Sequence, residues 1–145
     1  MNLKITAGPF TFHAKLETDK APKTCEAFLK QMPFSGKIVH VRWSGEDVWI
    51  PLGDHQFGVN YENHTSHPAP GHIILYPGGI SETEILIAYG GVDFSSKMGQ
   101  LAGNHFITIT SKLDQPRAGR RMRAQCSSGR QSGITSPAGI FSDRT

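Results

Sequence analysis

The sequence predicts a mainly β domain carrying a single helix, on three observations. Glycine and proline are abundant, 16 and 9 in 145 residues, which suits short strands joined by tight turns better than a helical bundle. Several short runs alternate apolar and polar residues or are apolar throughout. Only one segment repeats its apolar residues at helical spacing. A chain of this length makes one domain with a real core and has no room for two.

Leu3-Lys4-Ile5-Thr6 and the run from Phe10 to Leu16 alternate across Gly8-Pro9, as a β-hairpin with one buried face does. From Ala21 to Met32, Cys25, Phe28, Leu29 and Met32 recur at helical spacing. Asp19 is the expected cap, Pro22 lies in the first turn and Pro33 stops the helix. Lys37 to Trp43 and Asp47 to Ile50 read as strands paired about Ser44-Gly45. On that reading His40 and Arg42 share one face, and Val39 and Val41 point to the core.

Residues 53–71 form a polar loop long enough to be functional or mobile. His72 to Tyr76 is a strand ended by Pro77-Gly78-Gly79. Ser81-x-x-Glu84 imitates a helix capping box. The run Ile85-Leu86-Ile87-Ala88-Tyr89 after it is short and β-branched, and apolar on both faces, so it is expected to be a central strand. Asn104 to Thr110 ends the ordered pattern. The barrel-forming domain is therefore expected over residues 1–110, and residues 111–145 as a polar, basic tail with little order. A sheet of this kind wants a closing strand near its end, and no clear one is legible there.

Charge narrows the partners. Residues 111–145 hold seven basic and two acidic side chains, a net of +5, which leaves eight basic and ten acidic side chains, a net of −2, in residues 1–110. The basic balance belongs to the tail, and the body has no basic face for nucleic acid. No apolar run approaches a membrane span, and the N-terminus has no leader pattern. Cys25 and Cys126 stand in unlike surroundings and are not expected to pair. The expectation is a soluble cytoplasmic protein, with no nucleic acid or membrane as partner. An edge left open by the tail would suit a homodimer.

The stretch from His40 to Ile50 carries the most chemistry. It holds Trp43 and Trp49, both tryptophans of the chain, and Arg42, the single arginine before Arg117. A planar guanidinium among aromatic groups suits capture of a carboxylate or carbonyl oxygen. The candidate catalytic residues are His40, Arg42, Glu46 and His105, the histidines and the carboxylate being groups that move protons near neutral pH. Arg42, Trp43, Trp49, Tyr76, Glu82, Tyr89 and Asn104 are the candidate ligand contacts, aromatic walls with a few placed polar groups. His55, His64, His67 and His72 match no standard zinc spacing, so no metal and no cofactor is expected. Cys25 lies on the helix's apolar stripe as a packing residue.

Five blocks in order carry a resemblance: Ala21-Pro22-Lys23-Thr24, Trp43-Ser44-Gly45-Glu46, Tyr76-Pro77-Gly78-Gly79-Ile80-Ser81, Ala88-Tyr89-Gly90-Gly91 and Gly103-Asn104-His105-Phe106. Over residues 3–110 the chain resembles the cyclophilin-like barrels, and most nearly a bacterial group of small uncharacterised ones. The resemblance implies a closed, mostly antiparallel β-barrel with one covering helix. It also raises peptidyl-prolyl isomerase activity, with Arg42 as the group that polarises the prolyl bond. However, Val41 separates His40 from Arg42 and no Gln-Gly-Gly-Asp-like segment follows, so that activity is not expected. The expected function is to bind, and in some form transform, a small carboxylate- or amide-bearing metabolite around Arg42. Any enzyme would be a lyase, isomerase or hydrolase of small molecules. A ligand-binding accessory subunit is the non-catalytic alternative.

Overall fold

Alternation sets the first hairpin. β1 (Asn2–Ala7) and β2 (Phe10–Leu16) pair antiparallel with Ile5 opposite Phe12, and Leu3, Ile5, Ala7, Phe12, Ala14 and Leu16 all turn inward. The computed structural model describes residues 2–7, 10–40, 43–110 and 138–143. Helix α1 (Pro22–Leu29) follows with Pro22 in its first turn, and it buries Thr24, Cys25 and Phe28. Its Phe28 ring packs edge-on against Phe106, with centroids 5.2 Å apart. Among the described residues no helix is long and apolar enough to cross a membrane.

The remaining strands are β3 (Phe34–Lys37), β4 (Val39–His40), β5 (Gly45–Pro51), β6 (His64–Thr65), β7 (His72–Tyr76), β8 (Glu84–Val92), β9 (Ser95–Ser96), β10 (Gly99–Gln100), β11 (Gly103–Ile109) and β12 (Ala138–Asp143). The main sheet runs β3-β12-β1-β2-β11-β7-β8-β5-β4, every pairing antiparallel, with β6 added beside β11. Its first and last members, β3 and β4, are consecutive pieces of one extended run joined at Ile38. The sheet therefore curls until both its ends reach the same stretch of chain.

β12 pairs with β1 on one side and β3 on the other. The sheet thus takes a strand from beyond residue 110, where sequence patterning ends the domain, and that strand covers the edge. Ala138 to Asp143 was hard to see because glycine and small polar residues dilute its apolar pair, Ile140 and Phe141. The rest of the basic tail, Cys126 included, lies outside the described residues.

β8 is central, as its doubly apolar pattern predicts: it lies between β7 and β5 and is buried on both faces from Glu84 to Ala88. The Ser81-x-x-Glu84 box opens this strand and no helix. One face (Ile85, Ile87) joins the main core with Val48, Ile50, Ile73 and Leu75. The other face (Leu86) builds a second, smaller core with Ile74, Tyr76, Phe94 and Leu101. Segment 93–101, with its β9–β10 hairpin, lies over the outside of the sheet and supplies Phe94 and Leu101. This second layer makes room for a site on the outer face.

Two expectations are corrected here. Val39 is 40% exposed while Ile38 is buried, because alternation runs unbroken from Phe34 through Gly36 to Ile38 and turns the even-numbered residues inward. Asp19 does not cap the helix: Ala21 is the N-cap, and its methyl group makes no capping hydrogen bond. A carboxylate from the long polar loop replaces it. Glu62 accepts hydrogen bonds from the Thr24 amide and, at 2.7 Å, from the Thr24 hydroxyl, placing negative charge at the positive end of the helix.

Buried Asn104 completes this junction. Its amide donates to Thr24 Oγ1 at 3.1 Å and to the Asn60 carbonyl at 2.9 Å, and its Oδ1 accepts from the Glu62 amide at 3.0 Å. This side chain ties the loop to α1 and β11 together, beside the Glu62–Thr24 bonds and the β6–β11 pairing. Asn104→Ala removes three hydrogen bonds at this junction, at a cost of about 1–3 kcal/mol. Hydrogen exchange of the 58–64 amides should accelerate selectively, and unchanged exchange there would contradict the junction.

Candidate functional site

The outer face near the β4–β5 end carries a cavity of about 340 Å³. Cross-strand register explains what meets there. Val39 pairs with Trp49, Trp49 with Leu86, and Pro51 with Glu84, so Val39, Trp49 and Glu84 all project to the outer side. Trp43, 60% exposed, Ser44, Ser81, Ser95, Ser96, Lys97 and Met98 close the cavity from the flanking turns, and His40 reaches it from the strand end. Ser44 pins the hairpin wall: its hydroxyl donates to the Ser95 carbonyl and accepts from the Ser95 amide, both at 3.0 Å. Both tryptophans of the chain are therefore walls of one cavity.

Glu84 is the group that sequence reading missed. It is 7% exposed, its carboxyl makes no hydrogen bond or ion pair among the described residues, and it lines the cavity. Burial, with the nearby charges of Glu82 and Asp47 adding to it, pushes its carboxyl up to about 8. At neutral pH it is largely the neutral acid. It can donate a proton to a carbonyl oxygen, or ionise when a cation arrives. Asp47, on the same outer face of β5, is fully buried with both carboxylate oxygens unpartnered among the described residues. Burial alone pushes it up to about 7. The available signal was that a strand apolar on both faces buries whatever acid begins it or lies beside it.

Other sequence candidates separate into groups. His40 Nε2 and the Tyr89 hydroxyl share a hydrogen bond of 2.8 Å; Tyr89 packs against the main core and does not line the cavity. Arg42, which stands in sequence between His40 and Trp43, lies outside the described residues. Glu46 is exposed and its Oε1 accepts from the Gly91 amide at 3.4 Å. Glu82 is exposed and accepts from the Gly53 amide at 3.0 Å. Neither carboxylate lines the cavity. Tyr76 is buried, and its hydroxyl accepts from the Ile80 and Ser81 amides at 3.0 and 3.3 Å. It thereby clamps the turn in which Gly78 and Gly79 adopt φ of +95° and +126°, angles that favour glycine. Asn104 serves the loop junction described above.

His105 belongs to a different cluster. Its Nε2 lies 2.9 Å from Thr108 Oγ1, which donates at 2.6 Å to Glu17. With its one proton given to Glu17, the threonine oxygen accepts from His105. The ring stacks on His72 at 3.9 Å. Burial, then the neighbouring His72, holds His105 down at about 4, so it is neutral near pH 7. His55 accepts from Gln31 Nε2 at 2.9 Å, His64 packs against Tyr61, and His67 lies 3.8 Å from Asp93. Among the described residues no three His, Cys, Asp or Glu side chains gather as metal ligands would. Cys25 is buried and its thiol is pushed up to about 11, chiefly by burial, which leaves it unreactive.

Comparison with known proteins follows this geometry. Residues 3–136 match the model of a family of proteins of unknown function, DUF3830. The chain belongs to this family. No curated protein matches it in sequence. Three solved structures share its fold, at identities that speak to the fold alone. McbB, solved in complex with tryptophan, is similar with a TM-score of 0.71 and 16% identity; the match covers 98% of this chain but only 44% of McbB. The hypothetical protein AF2241 from Archaeoglobus fulgidus gives 0.60 and 16%, over 99% of this chain and 95% of the other. A Cryptosporidium parvum cyclophilin-type peptidyl-prolyl isomerase, solved with the dipeptide Ala-Pro, gives 0.55 and 10%, over 100% and 99%. The DUF3830 chain has a cyclophilin-like, mainly β fold.

Proposed function

We propose that this protein binds a small carboxylate- or amide-bearing metabolite in the outer-face cavity. The observation that carries the reading is the meeting of Trp43, Trp49, His40 and the partnerless Glu84 around about 340 Å³, a volume suited to a small ligand. Arg42, adjacent in sequence to Trp43, is the anchor for the ligand's carboxylate or carbonyl oxygen. The tryptophans and Met98 supply apolar walls, and the serines supply orienting hydroxyls. His40 and Glu84 are the groups available to move a proton, with Glu84 taking the part first given to Glu46. McbB, solved in complex with tryptophan, shares this fold over part of its length, which supports small-molecule binding on the scaffold.

A thermal-shift screen of small carboxylates, amides and proline peptides tests this on wild type and Arg42→Gln. A ligand that binds the folded state alone raises the melting temperature. The expected result is a carboxylate or amide whose shift is lost in the variant. Shifts equal in both proteins would remove Arg42 as the anchor, and shifts from proline peptides alone would replace this reading with prolyl recognition.

A further inference from the structure

Glu84 is more than nine-tenths buried, unpartnered among the described residues, and faces a cavity walled by two indoles. A carboxyl in that position wants a partner that the ligand must bring. The charges around it say which kind. Glu82 and Asp47 are the groups whose charges act on it most, and both are acidic. Among the described cavity residues, Lys97 on the exposed hairpin is the one fixed cation and His40 the other titratable group. An anionic group placed against Glu84 would meet only further acidic side chains, Glu82 and Asp47, whereas a cation there can be paired by the carboxylate. Indole faces add to this, since they stabilise a cation over a neutral or negative group.

We propose that the ligand carries an ammonium group, held by the Glu84 carboxylate between the faces of Trp43 and Trp49. This inference rests on the binding reading above and sharpens its ligand class to an amino acid, an amino-acid amide or a related amine. The ammonium occupies the Glu84 end, leaving the ligand's oxygen end to Lys97. Because Glu84 is mostly protonated in the empty cavity, an arriving ammonium leaves it ionised, and the displaced proton passes to the buffer.

Isothermal titration with phenethylamine, 2-phenylacetamide and phenylacetate at pH 7 tests this, each run in phosphate and in Tris. The expected result is that phenethylamine binds at least about tenfold more tightly than the amide. Its heat should differ between buffers by the equivalent of roughly one released proton. In Glu84→Gln the proton release should vanish and the two affinities should come within about twofold, because a neutral amide replaces the ion pair. Amide or acetate binding as tightly as the amine, or amine binding without proton release, would overturn the ammonium assignment while leaving the cavity reading intact. Failure of all three probes to bind would overturn both.

Discussion

Asp47→Asn is expected to make the protein more stable than wild type above neutral pH and to reduce the decline of stability with pH. The fully buried Asp47 is held protonated up to about 7 against an ordinary value of 3.8. Between those values the folded chain retains a proton that the unfolded chain has released. Stability contributed by the neutral acid is thus complete below about pH 4 and is lost as pH rises through about 7. At about 1.4 kcal/mol per pKa unit, the loss is roughly 4 kcal/mol. Glu84 adds a second decline of the same sign, since its carboxyl is pushed up to about 8. Urea unfolding at pH 5 and pH 8.5 reads both effects. Wild type should lose several kcal/mol across that range, Asp47→Asn should lose clearly less, and the double variant with Glu84→Gln should be nearly flat. Equal slopes in wild type and Asp47→Asn would show that Asp47 is ionised or hydrated in the folded state.

The second large effect concerns the place where the sheet curls onto itself. A Cβ at Gly36 would lie 2.4 Å from Ile50 Cγ2, inside any allowed contact, and Ile50 is fully buried. Gly36 is also paired with Gly139 in the ladder to β12, so β3 cannot retreat without losing that pairing. Gly36→Val should therefore cost about 3 kcal/mol or more, the upper range for overpacking a core. Gly36→Ala in an Ile50→Ala background separates this cause from a general dislike of substitution. Removing the Ile50 side chain should relieve most of the alanine's cost, measured as a coupling energy from the four unfolding midpoints. Additive costs would mean that β3 and β5 do not meet as described.

Much of this fold was legible because the residues that make it obey one period each. The β1–β2 hairpin alternates strictly, α1 repeats Cys25 and Phe28 at helical spacing, and β8 is apolar on both faces because it is covered on both. What escaped the sequence depended on contacts between distant segments. The helix cap came from Glu62, which is 38 residues from Thr24, and no local rule points to it. Which face of the 34–40 run turns inward, that of Phe34 and Ile38 and not that of Val39, is set by what packs against the run, since alternation fits either choice. β12 is weakly patterned, and its place between β1 and β3 depends on edges that exist only once the sheet has curled.

The site shows the same division. Aromatic and histidine groups near residues 40–49 stood out in the sequence, and Trp43, Trp49 and His40 do line one cavity. Glu84 did not stand out, because a carboxylate at the start of an apolar strand reads as a solvated end. Register with Pro51, under a hairpin supplied by residues 95–98, is what buries it. Tyr76 and Asn104 carried the right chemistry, but their polar atoms are engaged with backbone and loop partners.

Both tryptophans line the cavity and the chain has no others, so tryptophan emission, excited where the three tyrosines do not absorb, reports on this site. Titrating the thermal-shift hit into wild type while following tryptophan emission is the most direct measurement. The binding reading predicts a saturable change in intensity or wavelength, at the affinity found calorimetrically, and its loss in Arg42→Gln. Binding by calorimetry with tryptophan emission unmoved would place the ligand elsewhere and contradict the assignment of this cavity.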